Sequence, residues 1–338
     1  MRDWGRKMKF IKICLFWMLF LFLLIGSSRL TIPKQNTVDS GMEERDIPAA
    51  GIEAEPKNTL DVIVLGDSES HTGISPMELW KEQGIVSYVC GQSGQRAVEA
   101  YYMLKGVLQK QSPKVVILET DMFYHSRDRK TELKHMVEKA AQYYFPVFKY
   151  HNRWKVLTSH DWTEARSVVK RDAMKGFLCR GAIKPYTGGV YMKKTEEKEK
   201  TDWAVTFWVD RIAGLCRRNN AELLLVSVPA PKNWDYKRHN EVAAYAAKRG
   251  LQYLDLNVTE IAPQMDWEKD SLDEGDHLNV YGAVKVSRFL GQYLKANYVL
   301  PDHRRDESYS FWEQDLETYE KRKKDIVEAA KCEVHGSR

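Results

Sequence analysis

The residues able to do chemistry fall in a few short segments. Val64-Leu65-Gly66-Asp67-Ser68-Glu69-Ser70 sets a glycine and small polar residues directly after an apolar run. At the carboxyl end of a strand this allows a tight turn that presents Ser68 beyond the sheet, where a serine becomes a nucleophile if a base reaches it. Gly66-Asp67-Ser68 is also ordinary turn chemistry, and Asp67 reads as fixing that turn rather than reacting. The base candidate is His277 in Asp273-Glu274-Gly275-Asp276-His277-Leu278-Asn279, with carboxylates one, three and four residues before the imidazole. That pattern suits an acid/base role with an orienting acid, and Asp273, Glu274 and Asp276 are all open to it. Gly91-Gln92-Ser93-Gly94-Gln95 could turn backbone N–H groups toward an oxyanion, although Gln95 excludes a Gly-x-Ser-x-Gly elbow. Glu119-Thr120-Asp121 follows another apolar run and adds polar groups.

Positioning these segments requires strands that end just before them. Runs 61–65, 86–90, 115–118, 223–228 and 253–256 are short, apolar and rich in β-branched residues, as in strands buried on both faces of a parallel sheet. Helical patterns separate them. Ala97, Tyr101, Leu104 and Leu108 share one face, 241–248 lies between the fourth and fifth runs, and Ala283, Val286, Leu290 and Tyr293 form a stripe on a last helix. Alternating strands and helices predict a doubly wound α/β sheet, whose functional residues collect at the carboxyl edge. Residues 122–215 break the rhythm and read as an aromatic insertion containing helices, with a solvated charge run at 193–200 and core-facing Trp203, Phe207 and Trp208. The charged segment from Trp312 to Ala330 reads as a surface helix or tail.

The chain has 338 residues and a formal net charge of +5, but residues 1–12 hold five cations against one acid, leaving about +1 for the rest. The body therefore lacks the electrostatic footprint of a nucleic-acid binder. Ile13 to Ile25 is an unbroken apolar run behind that basic flank. A transmembrane anchor over 13–28 is the preferred reading, with the N-terminus cytoplasmic and the body outside. A signal peptide cleaved near Gly26-Ser27-Ser28 is the rival. Residues 29–58 carry prolines, glycines and mixed charges without an apolar period and read as a stalk. Five cysteines at this length make no disulfide scaffold; Cys179 and Cys216 could pair, and no spacing suggests a zinc site.

Together Gly66-Asp67-Ser68, Ser93-Gly94 and the acid-to-His block before the final helix resemble the SGNH (GDSL) hydrolase superfamily over residues 59–298. The resemblance implies a three-layer α/β/α, flavodoxin-like fold. It implies Ser68 as nucleophile, His277 as base, and the Ser68 and Gly94 amides as oxyanion donors. Where the superfamily carries an Asn oxyanion donor this chain has Thr120, and where it carries an Asp three residues before the His this chain has Glu274. Asp273, displaced by one residue, is the preferred orienter, with Glu274 and Asp276 as alternatives. Glu69, His277-Leu278-Asn279, Tyr150 to Trp154, Asn233-Trp234 and Arg238-His239-Asn240 look like the membrane-anchored acyl-transfer branch, which includes proteins of teichoic-acid D-alanylation and alginate O-acetylation.

Trp234, Arg238 and His239 are candidate substrate contacts. His151 and Arg153 read either as contacts for an anionic or sugar substrate or as a structural cluster. The expected function is an extracytoplasmic serine O-acyltransferase or esterase acting on a cell-surface glycan or teichoic-acid-like polymer. It needs no metal or organic cofactor, and by analogy its partner is a multi-spanning membrane O-acyltransferase. The alternative is a non-catalytic anchored scaffold that binds a surface polymer. Residues 299–338 are expected to form a charged C-terminal helix or tail.

Overall fold

The computed structural model describes residues 2–125, 128–163, 170–258 and 263–336. Within the 122–215 insertion, 126–127 and 164–169 lie outside the described residues. The chain packs as two compact units, one of Pro48–Asp128 with Lys170–Arg338 and one of Met1–Ile47 with Arg129–Val169.

In the larger unit the five apolar runs form β1 (Val62–Leu65), β2 (Ser87–Val89), β3 (Val115–Glu119), β4 (Glu222–Ser227) and β5 (Gln252–Asp255). All are parallel, in the order β2-β1-β3-β4-β5. This is the flavodoxin-like doubly wound order, whose direction of progression reverses beside β1 and opens a crevice at the strands' carboxyl ends. Val62, Val64, Val115, Ile117, Leu224, Val226 and Leu254 pack against Val286, Leu290 and Leu294 of the helix Val280–Asn297. Ile63, Leu65, Val116, Leu118 and Leu225, on the opposite face, are fully buried too. On that side the helices Ala97–Val107 and Trp203–Arg218 pack together, with Tyr101 and Tyr102 against Trp208. Burial on both faces is why the strands read as continuous apolar runs rather than alternating ones.

The helix after β4 spans Tyr236–Arg249, a full turn and more before the segment expected from its apolar pattern. The Asp235 carboxylate starts it by accepting from the Lys237 and Arg238 amides.

Two expectations are corrected. The C-terminal helix Ser310–Gly336 is no loose tail: Trp312 and Tyr319 are fully buried, the first 5.3 Å from Trp80 and the second donating to Glu78. Seven residues apart, they lie on one helix face, and the charges between them hide that face in a compositional reading. The end of the expected stalk is likewise part of the fold. Glu55 is fully buried and accepts a 2.7 Å bond from the buried Lys175, which also donates to Asp315 at 2.7 Å and lies 4.4 Å from the Trp312 ring centre. All five cysteines are free.

In the smaller unit, the helix Arg2–Thr31 contains the expected anchor 13–28, starting well before it and ending within a turn after it. Its stretch Arg6–Thr31, 26 residues that include an 18-residue window with a mean hydropathy of 2.3, is long and apolar enough to cross a membrane. Residues of the insertion form the helix Arg129–Tyr144 and short turns at Pro146–Phe148 and His151–Lys155.

Lys175→Met would leave two buried carboxylates without their shared cation. A loss of about 3–5 kcal/mol of stability is expected, read as a lowered denaturant midpoint with the slope unchanged.

Candidate active site

The polar segments singled out above converge at the carboxyl edge of the sheet. The turns after β1 and β2 interlock. The Gln92 amide donates to the Gly66 carbonyl at 3.1 Å, and the buried Gln95 side chain accepts from the Gly66 amide and donates to the Cys90 carbonyl. A Cβ on Gly66 would meet the Glu119 Cβ at 2.5 Å, and one on Gly91 would fall 1.8 Å from the Ser70 Oγ. Only glycine permits these approaches. Ser68 opens the short helix Ser68–Gly73, half-buried, and its hydroxyl donates to the Glu69 Oε2 at 3.2 Å.

His277 sits on a tight turn. Glu274 and Gly275 hold positive φ (66° and 94°), the Gly275 amide donates to the Ser271 hydroxyl, and the Leu272 amide donates to the His277 carbonyl. Asn279 anchors the turn to the next helix, accepting from the Tyr281 and Gly282 amides while donating to the carbonyls of Ala182, Lys269 and Ser271. Of the three candidate acids, Asp273 accepts from the His277 backbone amide and lies 2.7 Å from Nδ1. Asp276 is 3.8 Å from that nitrogen, and Glu274 pairs with Lys232. With Nδ1 held, Nε2 is the nitrogen left to exchange protons. Burial lowers the His277 pKa, but the Asp273 hydrogen bond and the charges of Glu69, Asp273 and Asp276 outweigh it and leave the imidazole above its ordinary value.

Glu69 joins the two halves. Its carboxylate accepts from Ser68 and, at 2.7 Å, from the Asn233 amide, which also donates to Asp276 at 2.6 Å. Glu69, Asp276 and His277 each bring a polar atom within 4.8 Å of the others. Behind Glu69 lie three more buried acids, Asp67, Glu119 and Asp121. Burial, then the charges of Glu69 and Glu119, push the Asp67 carboxyl well above the usual range, and burial with Glu69 and Asp121 does the same to Glu119. The His125 ring lies between Asp67 (3.1 Å) and Asp121 (3.0 Å), and its hydrogen bond to Asp121 raises its pKa against the pull of burial. The Asp67 contact is one of proximity, since that carboxylate accepts no aligned hydrogen bond. Asp67, Glu69 and Glu119 are grouped closely enough to hold a cation, as are Asp67, Asp121 and His125. His71, one turn along from Ser68, is kept neutral by burial, with a pKa of about 4.

Other candidates have internal partners. Gly94 is exposed at φ +63°, in the loop that opens the helix Ala97–Val107. Thr120 is fully buried and its hydroxyl meets the Ser227 hydroxyl at 2.6 Å, a chain that continues through the Tyr253 hydroxyl to Asp255. That bond takes up the group expected to serve an oxyanion. Asp255 also accepts from Trp234 Nε1 and lies 2.7 Å from His239 Nδ1, so both residues serve this buried network. Arg238 bonds the Asn233 carbonyl, reaches Asp121 and Glu199, and stacks over Tyr124. In the smaller unit Arg153 is buried on Asp161 and on the carbonyls of Leu30, Thr31 and Ile32, which is the structural alternative, and exposed His151 lies 3.3 Å from the Phe148 carbonyl.

Sequence reasoning gave no role to His125 or His71, and it named Asn233 only within the resemblance, without a role. Asn233 follows β4 at the active edge and His125 stands four residues after Asp121, so a search for polar residues beyond every strand end would have found both. The irregular stretch 177–202, expected to be partly helical, is an extended strap. It receives or gives backbone bonds at His71, Val280, Ser271, Glu274, Trp267 and Lys237, so it ties the serine helix to the histidine turn.

No family model matches the sequence, and no curated protein matches it. Solved structures with a similar chain course include a protein from Bacteroides fragilis assigned as an acylhydrolase (13% identity, 73% of this chain and 94% of that one, TM-score 0.38). They also include a GDSL-like lipase from Bacteroides thetaiotaomicron (11% identity, 75% and 98%, TM-score 0.38). A third, from Desulfitobacterium hafniense, is assigned to the lipolytic G-D-S-L family (14% identity, 68% and 97%, TM-score 0.33).

The electrostatics of His277 are open to direct measurement. Its NMR-titrated pKa is expected above the ordinary value of 6.5 and lower in Asp273→Asn, because the variant removes the acceptor and charge that favour the imidazolium. An unchanged pKa in Asp273→Asn would mean that Asp273 does not control this imidazole.

Proposed function

We propose that this chain is a serine-dependent acyl-transfer enzyme, an O-acyltransferase or esterase of the cell envelope. The observation that carries the reading is the imidazole of His277, fixed through Nδ1 by Asp273 and grouped with Glu69, the residue that holds the Ser68 hydroxyl. In the proposed reaction Ser68 Oγ turns from Glu69 to His277 when substrate binds and attacks the carbonyl of an ester or other activated acyl donor. Its proton passes to His277 Nε2, and Asp273 stabilises the imidazolium. The backbone N–H groups of Ser68 and Gly94 are the proposed oxyanion donors. Collapse of the tetrahedral intermediate releases the leaving group with the proton from His277, leaving an acyl-serine. A hydroxyl of the acceptor, deprotonated by His277, then attacks this ester and frees Ser68. Apo hydrogen bonds in such sites are commonly loose, so the Ser68–Glu69 bond is compatible with the scheme.

The acceptor in this reading is a cell-surface glycan or teichoic-acid-like polymer. The helix long enough to span a membrane, with its cations gathered in the N-terminal turns, supports an extracytoplasmic site tethered at the bilayer. A multi-spanning membrane O-acyltransferase is the proposed donor-side partner, because one helix has no path for an acyl group. With water as acceptor the same chemistry is deacylation.

Fluorophosphonate labelling tests the serine. One label per chain is expected in the wild type and none in Ser68→Ala, with folding unchanged. His277→Ala is expected to slow labelling on the order of 10²–10⁴-fold, the share a general base contributes. Absence of labelling across a wide pH range would overturn the catalytic reading in favour of a polymer-binding scaffold.

A further inference from the structure

The smaller unit carries apolar surface that the acyl-transfer reading does not use. Tyr144, Trp154 and Trp162 are 57%, 67% and 72% exposed, and Leu133 and Val137 are exposed as well. Leu133, Val137 and Tyr144, spaced four and seven residues apart, fall on one face of the helix Arg129–Tyr144. A soluble surface seldom gathers so much apolar area without a use for it.

The depth of this surface is set by what holds it. The last carbonyls of any helix lack partners within the helix. Here the buried Arg153 guanidinium donates to the Leu30, Thr31 and Ile32 carbonyls, at 3.4, 3.0 and 3.0 Å, and pairs with Asp161 at 2.8 Å. The Val147 amide adds a 3.4 Å bond to the Ser28 hydroxyl. A fixed cation at a helix C-terminus also complements the helix dipole. The segment around 147–161 is thus pinned to the final turn of the apolar helix. At 1.5 Å per residue, the 26 residues of Arg6–Thr31 span about 39 Å, against about 30 Å of bilayer hydrocarbon. When that helix spans a membrane, its last turn lies in the headgroup layer, where Trp and Tyr are enriched.

We propose that residues 129–163 form a collar that lies in the lipid headgroup layer around the emerging helix, with Trp154, Trp162 and the Leu133–Val137–Tyr144 face inserted at the boundary with the acyl chains. The partner is the lipid surface itself. The collar rests on the membrane-anchored reading and adds a second, lateral contact with the bilayer.

The test uses the full chain in phosphatidylcholine–phosphatidylglycerol nanodiscs. Cys14 and Cys332 are replaced by Ser, and an environment-sensitive fluorophore is attached at Val137→Cys, Trp154→Cys, Trp162→Cys or, as the anchor control, Phe20→Cys. Doxyl groups are placed either near the headgroup or near the acyl-chain end. At 137, 154 and 162, headgroup-proximal doxyl is expected to quench roughly twofold or more better than the deep one, the depth of an interfacial helix. At 20 the deep doxyl is expected to quench best. Quenching at 20 but at none of the collar positions would overturn the collar and leave the anchor standing, whereas no quenching at 20 would overturn the anchor itself. Collar positions shielded only when a multi-spanning membrane protein is present would overturn the lipid proposal in favour of a protein interface.

Discussion

Where β1 and β2 end, the turns are so crowded that a side chain on Gly66 would meet Glu119 and Ser70 and one on Gly91 would meet Ser70, and the site is built outward from that contact. Gln95 fastens the two turns by bonding the Gly66 amide and the Cys90 carbonyl. The interlock fixes where the helix Ser68–Gly73 begins, and with it the direction in which Ser68 is presented. It also presses Gly66 against Glu119, so the acids that follow β3 crowd behind the serine. Substituting either glycine would move the serine helix and the acidic layer together, because they share one wall.

That crowding has an electrostatic consequence. Four buried carboxylates stand close to the candidate nucleophile, and burial, then the charges of neighbouring acids, pushes two of them, Asp67 and Glu119, toward their neutral forms. Glu69 has two donors, Ser68 and Asn233, while Asp67 accepts no aligned hydrogen bond. The serine hydroxyl therefore rests on an acceptor that is itself tied to Asp276 through Asn233. Ser68 and Asp276, which stands beside His277, are thus linked through Glu69 and this amide, and a change at one alters the hydrogen bonding of the other.

The histidine side depends on a different device. The turn 273–277 needs two consecutive positive φ values, at Glu274 and Gly275, and Asn279 ties it down on both sides. The strap 177–202 then links this turn with the serine helix by backbone bonds, whose formation places no demand on side-chain type. A strap held in this way leaves little mark in composition, which is why the insertion reads as helical until the backbone partners are known.

The sequence by itself determined the parallel α/β architecture, since strands buried on both faces must be continuously apolar and the intervening helices must carry a core-facing stripe. It also picked out the strand-end segments holding Ser68 and Gly94 and the turn before the last helix that holds His277, because tight turns demand glycine and small polar residues there. Tertiary structure decided what local pattern could not encode. Asp273 rather than Glu274 lies on the imidazole because the turn's positive φ values swing Glu274 toward Lys232. Thr120, Trp234 and His239 are drawn into the Asp255 network by contacts across β3, β4 and β5. Trp312 and Tyr319 become core through a helix that returns from the far end of the chain. Glu69 gained its place because Asn233, 164 residues away, donates to it, and a partner at that separation is fixed only when the sheet closes.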